Sequence, residues 1–262
     1  MVKFSIDNKQ IEVESGTYLL QAAKKLGIDI PTLCHHPALE PYGACRICLV
    51  EITKESWKGW SKLVVSCAYP VENDLIVYTN SEKVIKARKF ILELLIARCP
   101  ESDTIKKLAE KYEVAPASFS LNYEPTDCIL CGLCVRVCGE LIKQNVISFT
   151  HRGSNRKVMT PFNKESDVCI TCGACAFVCP TGVIKLEDIL GKRKIETWHT
   201  ELPLYKCKKC GKGFVSTKQL QLLKDKCVSI GDIIELCPEC RRKKATEAPI
   251  CRPVGATEGK GV

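Results

Sequence analysis

The sequence has 262 residues, a formal net charge of +9 and 19 cysteines, which is about one cysteine in every fourteen residues. A hydrophobic fraction of 45% excludes a disordered chain. The longest apolar run covers residues 90–97 and contains Glu93, so no membrane span is predicted. The first residues lack the apolar stretch of a secretory signal, which indicates a cytoplasmic protein whose cysteines bind metal rather than form disulfides.

Sixteen of the cysteines form four groups of four. The groups are Cys34, Cys45, Cys48 and Cys67; Cys128, Cys131, Cys134 and Cys138; Cys169, Cys172, Cys175 and Cys179; and Cys207, Cys210, Cys237 and Cys240. The second and third groups share the spacing C-x2-C-x2-C-x3-C, which is an internal duplication. Iron–sulfur or zinc sites built from four thiolates carry about −2 each, so four of them offset most of the positive charge. The net charge is therefore weak evidence for a nucleic-acid partner.

Residues 1–80 are predicted to form a strand-rich module. Strands are expected over residues 3–6, 10–14, 49–53, 63–65 and 74–78, and a helix capped by Thr17 over residues 18–26. Cys45 and Cys48 lie in a glycine-bearing loop, and the other two cysteines of the group reach that loop from elsewhere. Such an arrangement can surround a compact iron–sulfur cluster, with Gly43 allowing backbone amides to approach the inorganic sulfides.

The stretch Cys34-His35-His36-Pro37-Ala38-Leu39, followed by residues 43–51, resembles the plant-type [2Fe–2S] domain of the large iron–sulfur subunit of complex I. The small diaphorase subunit of NAD-linked hydrogenases has the same domain. The resemblance implies a β-grasp ferredoxin fold. A zinc site is the alternative, although zinc ligands usually come as two pairs that are each close in the sequence, and here only Cys45 and Cys48 form such a pair. His35 and His36 could replace cysteines as in Rieske centres, but four cysteines suffice, so both are interpreted as structural or surface groups.

Residues 81–120 are predicted to form a helical bridge. Ser81 is expected to cap a helix over residues 82–98, and a second helix covers residues 103–112. The predicted apolar positions of the first helix are Val84, Ile85, Ala87, Phe90, Ile91, Leu94 and Leu95. In the complex I subunit this region binds an extra [4Fe–4S] cluster through one histidine and three cysteines. Here it contains only Cys99 and no histidine, so that cluster is expected to be absent and Cys99 to be a buried structural thiol.

Residues 121–190 contain the duplicated cysteine runs and are interpreted as a bacterial two-[4Fe–4S] ferredoxin domain. Three closely spaced cysteines bind one cluster and the fourth ligates the other. The first cluster is thus assigned to Cys128, Cys131, Cys134 and Cys179, and the second to Cys169, Cys172, Cys175 and Cys138. Gly132 and Gly173 lie at positions where a side chain is expected to crowd a cluster. Short strands are expected over residues 147–150 and 183–186. A zinc-binding duplication is the alternative, and the basic residues 151–157 are either a partner contact or solvated surface.

Residues 195–245 contain two C-x2-C pairs, typical of a zinc ribbon, with zinc held by Cys207, Cys210, Cys237 and Cys240. A helix is expected over residues 216–226. A fourth iron–sulfur cluster is the alternative, and Cys227 could replace one ligand. Residues 246–262, which include the single Cys251, are expected to be a flexible tail. The predicted fold class is therefore α+β, with four cysteine-rich parts in one chain.

Residues 1–190 resemble the small iron–sulfur diaphorase subunit of multisubunit NAD(P)-linked [NiFe] hydrogenases. The resemblance implies an electron-transfer subunit that works with a flavin- and NAD-binding subunit, a thioredoxin-like [2Fe–2S] subunit, and the large and small [NiFe] hydrogenase subunits. Such assemblies also exchange electrons with ferredoxin, in some cases by flavin-based bifurcation. The chain has no G-x-G-x-x-G, P-loop or paired acid–base site, so no substrate-converting site is expected. The same role in a formate dehydrogenase or another NAD-linked oxidoreductase is an alternative; a zinc-ribbon nucleic-acid binder with a regulatory cluster is a remote one.

Overall fold

The computed structural model of this chain describes residues 1–115, 126–226 and 228–247. It contains two compact units. The first consists of Met1–Val168, Gly173–Lys185 and Glu196–His199, and the second of Cys169–Cys172, Leu186–Ile195 and the described residues from Thr200 onwards. The predictions for Cys227, Cys251 and the last five residues of the helical bridge lie outside the described residues, as does the predicted tail except for Thr246 and Glu247.

A five-stranded mixed sheet opens the first unit. Its strands are β1 (Val2–Ile6), β2 (Lys9–Val13), β3 (Leu49–Thr53), β4 (Ser61–Val65) and β5 (Ile76–Tyr78). Their order is β2-β1-β5-β3-β4, in which β1 and β5 are parallel and all other neighbours antiparallel. Phe4 and Ile6 of β1 and Val50 and Ile52 of β3 are buried in the core, because these strands lie inside the sheet. All five predicted strands are confirmed.

Helix α1 (Leu19–Lys25) packs on this sheet through Leu19, Leu20, Ala22 and Ala23. Its N-cap is Tyr18, whose backbone N–H donates to the Gln21 side chain at 3.2 Å. The prediction that Thr17 caps the helix is wrong, because the Thr17 hydroxyl donates to the Glu14 carbonyl oxygen at 2.8 Å and so stabilises the preceding turn.

Two helices follow the sheet, α2 (Glu82–Arg98) and α3 (Asp103–Lys111). The Ser81 hydroxyl accepts a hydrogen bond from the Val84 N–H, which confirms the predicted cap of α2. Phe90 and Leu94, which the periodicity assigned to the buried face, are 59% and 44% exposed. The buried positions also include Arg88, whose guanidinium donates to the Leu49 carbonyl at 2.7 Å and to the Tyr112 hydroxyl at 3.1 Å. Among the described residues, no helix has the length and apolar character that crossing a membrane requires.

The duplicated cysteine runs form two short helices, α4 (Leu133–Arg136) and α5 (Ala174–Phe177), with a hairpin of β6 (Ser148–Thr150) and β7 (Lys157–Met159) between them. Gly132 and Gly173 precede these helices with φ of 79° and 77°. Glycine adopts this left-handed backbone conformation without steric cost, which explains its presence at both positions. The strand predicted over residues 183–186 does not form. The nearest strand is β8 (Glu187–Ile189), whose first residue, Glu187, pairs with Lys194.

The second unit is built on a four-stranded antiparallel sheet. Its strands are β8, β9 (Lys192–Ile195), β10 (Thr200–Lys206) and β11 (Gly213–Ser216), in the order β11-β10-β9-β8. Helix α6 (Thr217–Lys226) confirms the predicted helix, and the Ser216 hydroxyl accepts from the Gln219 N–H at its start. The unit also has a helix that was not predicted, α7 (Pro238–Glu247), which includes the first two residues of the expected tail.

Candidate iron–sulfur and metal centres

The first cysteine group lies at one end of the five-stranded sheet. Cys34, Cys48 and Cys67 are buried, and Cys45 is half-buried. A hydrogen bond from the Cys45 thiol lowers the pKa of Cys34 to about 6, and one from the Cys67 thiol lowers the pKa of Cys48 to about 6. The four thiols thus form two close pairs. A binuclear cluster with two thiolates on each iron requires such an arrangement, so the donor set fits [2Fe–2S].

Backbone amides surround the same sulfur atoms. The Cys45 N–H donates to Cys34 Sγ at 3.4 Å, and hydrogen bonds from the backbone of Ala44 and Cys45 help to lower the pKa of Cys34. The loop that presents them turns at Gly43, with φ of 67°. A Cβ added at Gly43 would also lie 3.4 Å from Val65 Cγ2. This loop geometry is consistent with the expected role of Gly43, which is to let backbone amides approach the cluster ligands.

Four cysteines of the duplicated runs line one cavity in the first unit. They are Cys128, Cys131, Cys134 and Cys179, the set assigned from the sequence to the first [4Fe–4S] cluster. The cavity has a volume of about 820 Å³, far more than a single ion occupies. Burial, together with the charges of Cys179 and Cys128, raises the pKa of the Cys131 thiol to about 12. Several thiolates close together need the countercharge of bound iron, and this donor set fits a polynuclear cluster.

Basic residues line the same cavity. Arg98 of α2 donates from Nε to the Cys128 carbonyl oxygen at 2.7 Å. Three further lining residues, His151, Arg152 and Arg156, come from the β6–β7 loop, and Lys157 is the first residue of β7. The described residues that line the cavity include no carboxylate. A positive surrounding stabilises the charge that a reduced site gains.

The four cysteines assigned to the second [4Fe–4S] cluster do not all belong to the same unit. Cys138 and Cys175 belong to the first unit, and Cys169 and Cys172 to the second. Cys138 Sγ accepts a hydrogen bond from the Val146 N–H at 3.4 Å. Cys175 Sγ accepts one from the indole N–H of Trp198, also at 3.4 Å. The sequence analysis did not identify Trp198, because no spacing pattern links it to the cysteine runs.

The fourth group comes together in the second unit. Cys207, Cys210, Cys237 and Cys240 place their sulfur atoms within 4.8 Å of one another, and Cys210 Sγ and Cys237 Sγ are 3.7 Å apart. Four sulfurs at about 2.3 Å from one tetrahedral ion would be about 3.8 Å apart. The site therefore fits a single metal ion, while the cubane of a [4Fe–4S] cluster would hold its ligands farther apart.

Local backbone structure presents these four sulfurs. Cys207 follows β10, Cys210 lies in the turn before β11, and Cys237 and Cys240 flank the start of α7. The Cys237 N–H donates to Cys207 Sγ at 3.2 Å. Although burial raises the pKa of Cys207, hydrogen bonds from the backbone of Cys237, Cys210 and Lys209 lower it to about 6. A thiol with this pKa is readily deprotonated for metal binding.

The remaining described candidates have local roles. Cys99 is buried among Leu33, Ile47 and Leu92, and burial raises the pKa of its thiol to about 12. Its predicted burial is confirmed. His36 Nδ1 accepts from the Ala38 N–H at 3.2 Å, and burial lowers the pKa of His35.

Comparisons with known proteins agree with this cysteine architecture. Residues 1–82 match a 2Fe-2S iron-sulfur cluster binding domain, and residues 127–183 match a 4Fe-4S dicluster domain. A subunit of the NADH-quinone oxidoreductase of Rickettsia bellii is 31% identical over 224 residues, which is 76% of this chain and 32% of that protein. The alpha subunit of the NADPH-Fe(3+) oxidoreductase of Geobacter sulfurreducens is 33% identical over 211 residues, 70% of this chain and 24% of that protein.

This chain thus spans about a third or less of the length of these curated relatives. Among solved structures, a chain of the NAD+-reducing [NiFe]-hydrogenase in the H2-reduced state matches with a TM-score of 0.59 and 26% identity. That match covers 70% of this chain and 86% of the hydrogenase chain. The chain is therefore an iron–sulfur electron-transfer protein, with a [2Fe–2S] domain and a [4Fe–4S] dicluster domain, related to the matched NADH-quinone oxidoreductase protein and to the NAD+-reducing [NiFe]-hydrogenase.

Proposed function

We propose that this chain relays electrons between an NAD(H)-handling flavoprotein subunit and a hydrogenase module in a multisubunit oxidoreductase. The observation that carries the proposal is the extent of the match to the hydrogenase chain. It covers 86% of that chain, whereas the match to the NADH-quinone oxidoreductase protein covers 32% of a longer sequence. A chain of this size with three cysteine sets for iron–sulfur clusters is suited to transfer rather than to substrate conversion.

The proposed ligands are those assigned from the sequence. Cys34, Cys45, Cys48 and Cys67 would hold [2Fe–2S]; Cys128, Cys131, Cys134 and Cys179 one [4Fe–4S]; and Cys169, Cys172, Cys175 and Cys138 the other. When bound, these clusters supply one-electron chemistry whose potentials depend on hydrogen bonds, charge and burial. The chain's own residues adjust those factors. Backbone amides donate to Cys34, and Arg98 and the β6–β7 loop place positive charge beside Cys128.

The fourth site is proposed to bind one zinc ion through Cys207, Cys210, Cys237 and Cys240. Sulfur atoms within 4.8 Å of one another support a mononuclear site. Zinc has no redox chemistry, so this module would not extend the electron pathway. Its proposed role is docking to an acidic neighbouring subunit, since basic residues are abundant around the site.

The proposed domain limits remain residues 1–80, 81–120, 121–190, 195–245 and 246–262. The proposed partners are a flavin- and NAD-binding subunit, a thioredoxin-like [2Fe–2S] subunit, large and small [NiFe] hydrogenase subunits, and ferredoxin, in the cytoplasm. No nucleic-acid partner is proposed. A second candidate is the same relay in another NAD(P)-linked oxidoreductase, which the match to the NADPH-Fe(3+) oxidoreductase favours.

Purification of the native complex under anaerobic conditions tests this function. Subunit identification should find a flavoprotein and a [NiFe] pair with this chain, and the purified chain alone should contain about ten irons and about one zinc. The chain alone should not oxidise NADH or hydrogen. Appreciable NADH oxidation by the pure chain, a reproducible value near six irons, or the absence of a [2Fe–2S] signal would each contradict the proposal. About fourteen irons without zinc would contradict the zinc assignment.

A further inference from the structure

Trp198 lies in a part of the chain that the dicluster domain match, residues 127–183, does not include. It ends the short helical turn Glu196–Trp198 between β9 and β10, and the structure assigns this turn to the first unit. Its side chain is 3% exposed, and its indole N–H donates to Cys175 Sγ at 3.4 Å. A buried indole N–H needs a hydrogen-bond partner, and here that partner is a predicted cluster ligand.

The turn that carries Trp198 is fixed on its other side. The His199 N–H donates to the Glu196 carbonyl oxygen at 2.9 Å, which closes the turn. The imidazole of His199 lies 3.4 Å from Asn163 Oδ1, within hydrogen-bond distance. The orientation of the indole toward Cys175 is therefore supported by backbone geometry and by neighbouring side chains.

The two halves of the duplication differ at this point. Cys134 is the third cysteine of its run, as Cys175 is of the other, and each follows a glycine in the left-handed region by two residues. Across the described ranges, Cys134 Sγ receives no side-chain hydrogen bond. Among the residues that the structure describes, a fixed indole donor thus reaches one half, and no side-chain donor reaches the equivalent sulfur of the other half.

A donor to a cluster thiolate stabilises the more negative, reduced state, because charge-assisted hydrogen bonds strengthen as the acceptor gains charge. We infer that Trp198 raises the reduction potential of the [4Fe–4S] cluster bound through Cys175 above the value that this cluster would have without the indole donor. The donor thereby increases the share of electrons that reside on the Cys175 side of the dicluster domain. This inference rests on the proposed function, since it requires both clusters to be present.

The test is the substitution Trp198→Phe in the full holoprotein, because phenylalanine keeps an apolar aromatic ring, although a smaller one, and removes the donor. Redox titration followed by electron paramagnetic resonance should show one [4Fe–4S] midpoint potential shifted to a more negative value. The [2Fe–2S] potential should not move, and the other [4Fe–4S] potential should move less, because Trp198 lines the cavity of Cys128 and Cys179 but donates to Cys175. Trp60→Phe, at an exposed position in the [2Fe–2S] module, is the matched control and should leave all three potentials unchanged.

A spectroscopic measurement separates a hydrogen bond from a packing effect. In the reduced wild type, electron–nuclear double resonance should detect an exchangeable proton coupling that disappears in Trp198→Phe and is retained in Trp60→Phe. Unchanged potentials in Trp198→Phe, or a coupling that survives the substitution, would overturn the inference. If the variant loses iron, wild-type protein labelled with 15N at the tryptophan indole decides the matter, because a 15N coupling to the reduced cluster supports the inference and its absence overturns it. Absence of two [4Fe–4S] signals in the wild type would instead refute the proposed function.

Discussion

The [2Fe–2S] module and the C-terminal four-cysteine module are stabilised in different ways. In the first, sixteen buried residues form one core behind a five-stranded sheet, and only two of them, Cys48 and Cys67, are predicted cluster ligands. In the second, the buried core consists of three of the candidate metal ligands, Cys207, Cys237 and Cys240, and Phe214 and Leu236 pack against them. Apolar packing therefore surrounds the metal site in one module, whereas the metal site is the core in the other.

The difference predicts how each module depends on its metal. Burying an aliphatic side chain contributes about 1.5–3 kcal/mol, so the large core of the first module can stabilise its sheet without a cluster. Among its described residues, the second module has one further small apolar cluster, formed by Val215, Leu220 and Ile234. Its folding free energy must come largely from metal coordination, as in small zinc domains.

The largest effect is expected for Cys237→Ser. Removing one thiolate from a mononuclear site should abolish metal binding and unfold residues 200–247, while the three iron–sulfur signals persist. Metal analysis and amide hydrogen exchange of the full chain would measure both effects. Retained protection in α6 and α7 after complete metal loss would contradict the idea that the metal is the core of this module.

Cys45→Ser is the matched change in the first module. We expect loss of the [2Fe–2S] signal with continued protection of the sheet, since Cys45 is not a member of the main apolar core. The [4Fe–4S] signals should remain, and the C-terminal module should keep its metal. Collapse of protection in β1, β3 and β5 would show that the first module also depends on its cluster for folding.

Truncation of a side chain in the apolar core should, by contrast, destabilise the fold of the first module itself. Ile52→Ala removes a side chain of β3 that is 0% exposed and should destabilise the module by about 2–5 kcal/mol. Chemical denaturation monitored through the [2Fe–2S] absorption would measure the loss. Leu94→Ala, at an exposed position of α2, is the control and should change the stability by no more than about 0.5 kcal/mol. Equal effects of the two changes would contradict a packed core around Ile52.

Local sequence signals predicted much of the fold. Ser81 and Pro100 define the ends of α2, and the cysteine spacings identified four metal-binding groups, of which the fourth is brought within 4.8 Å in the structure. The features that escaped prediction depend on tertiary contacts. Periodicity could not show that Arg88 is buried through hydrogen bonds to Leu49 and Tyr112, nor that Phe90 is exposed. The β8–β9 hairpin had a local signal in Leu190-Gly191, whose φ values are 50° and 78°, and this signal was missed.

Trp198 illustrates the limit more clearly. Its residue type and neighbours on the chain resemble an ordinary strand connection, and only the fold shows that its indole meets Cys175. The same holds for the basic β6–β7 loop, whose composition was evident but whose position at the cavity of Cys128 and Cys179 was not. Sequence patterns locate ligands that are close in sequence, while residues that adjust a ligand from another element require coordinates.

The smallest predicted effect concerns Glu51, a buried carboxylate of β3. Its pKa is lowered to about 2, first by the hydrogen bond that the Ser61 hydroxyl donates and further by Ser81 and Lys83, whose Nζ lies 2.9 Å from Oε1. Because the folded pKa is below the ordinary value, the carboxylate stabilises the fold above about pH 4.5 and this contribution is lost as the pH falls towards 2. Glu51→Gln should therefore lower the stability at pH 7 by about 1–3 kcal/mol and flatten its decline in acid. Denaturation of the full chain between pH 7 and pH 3 would test this, with Glu12→Gln, at an exposed ion pair with Lys3, as control. Parallel wild-type and Glu51→Gln curves throughout that range would refute the assignment.

In the C-terminal module, acid also protonates the metal-binding thiolates, so its loss of structure should follow metal release and not the titration of a single carboxylate.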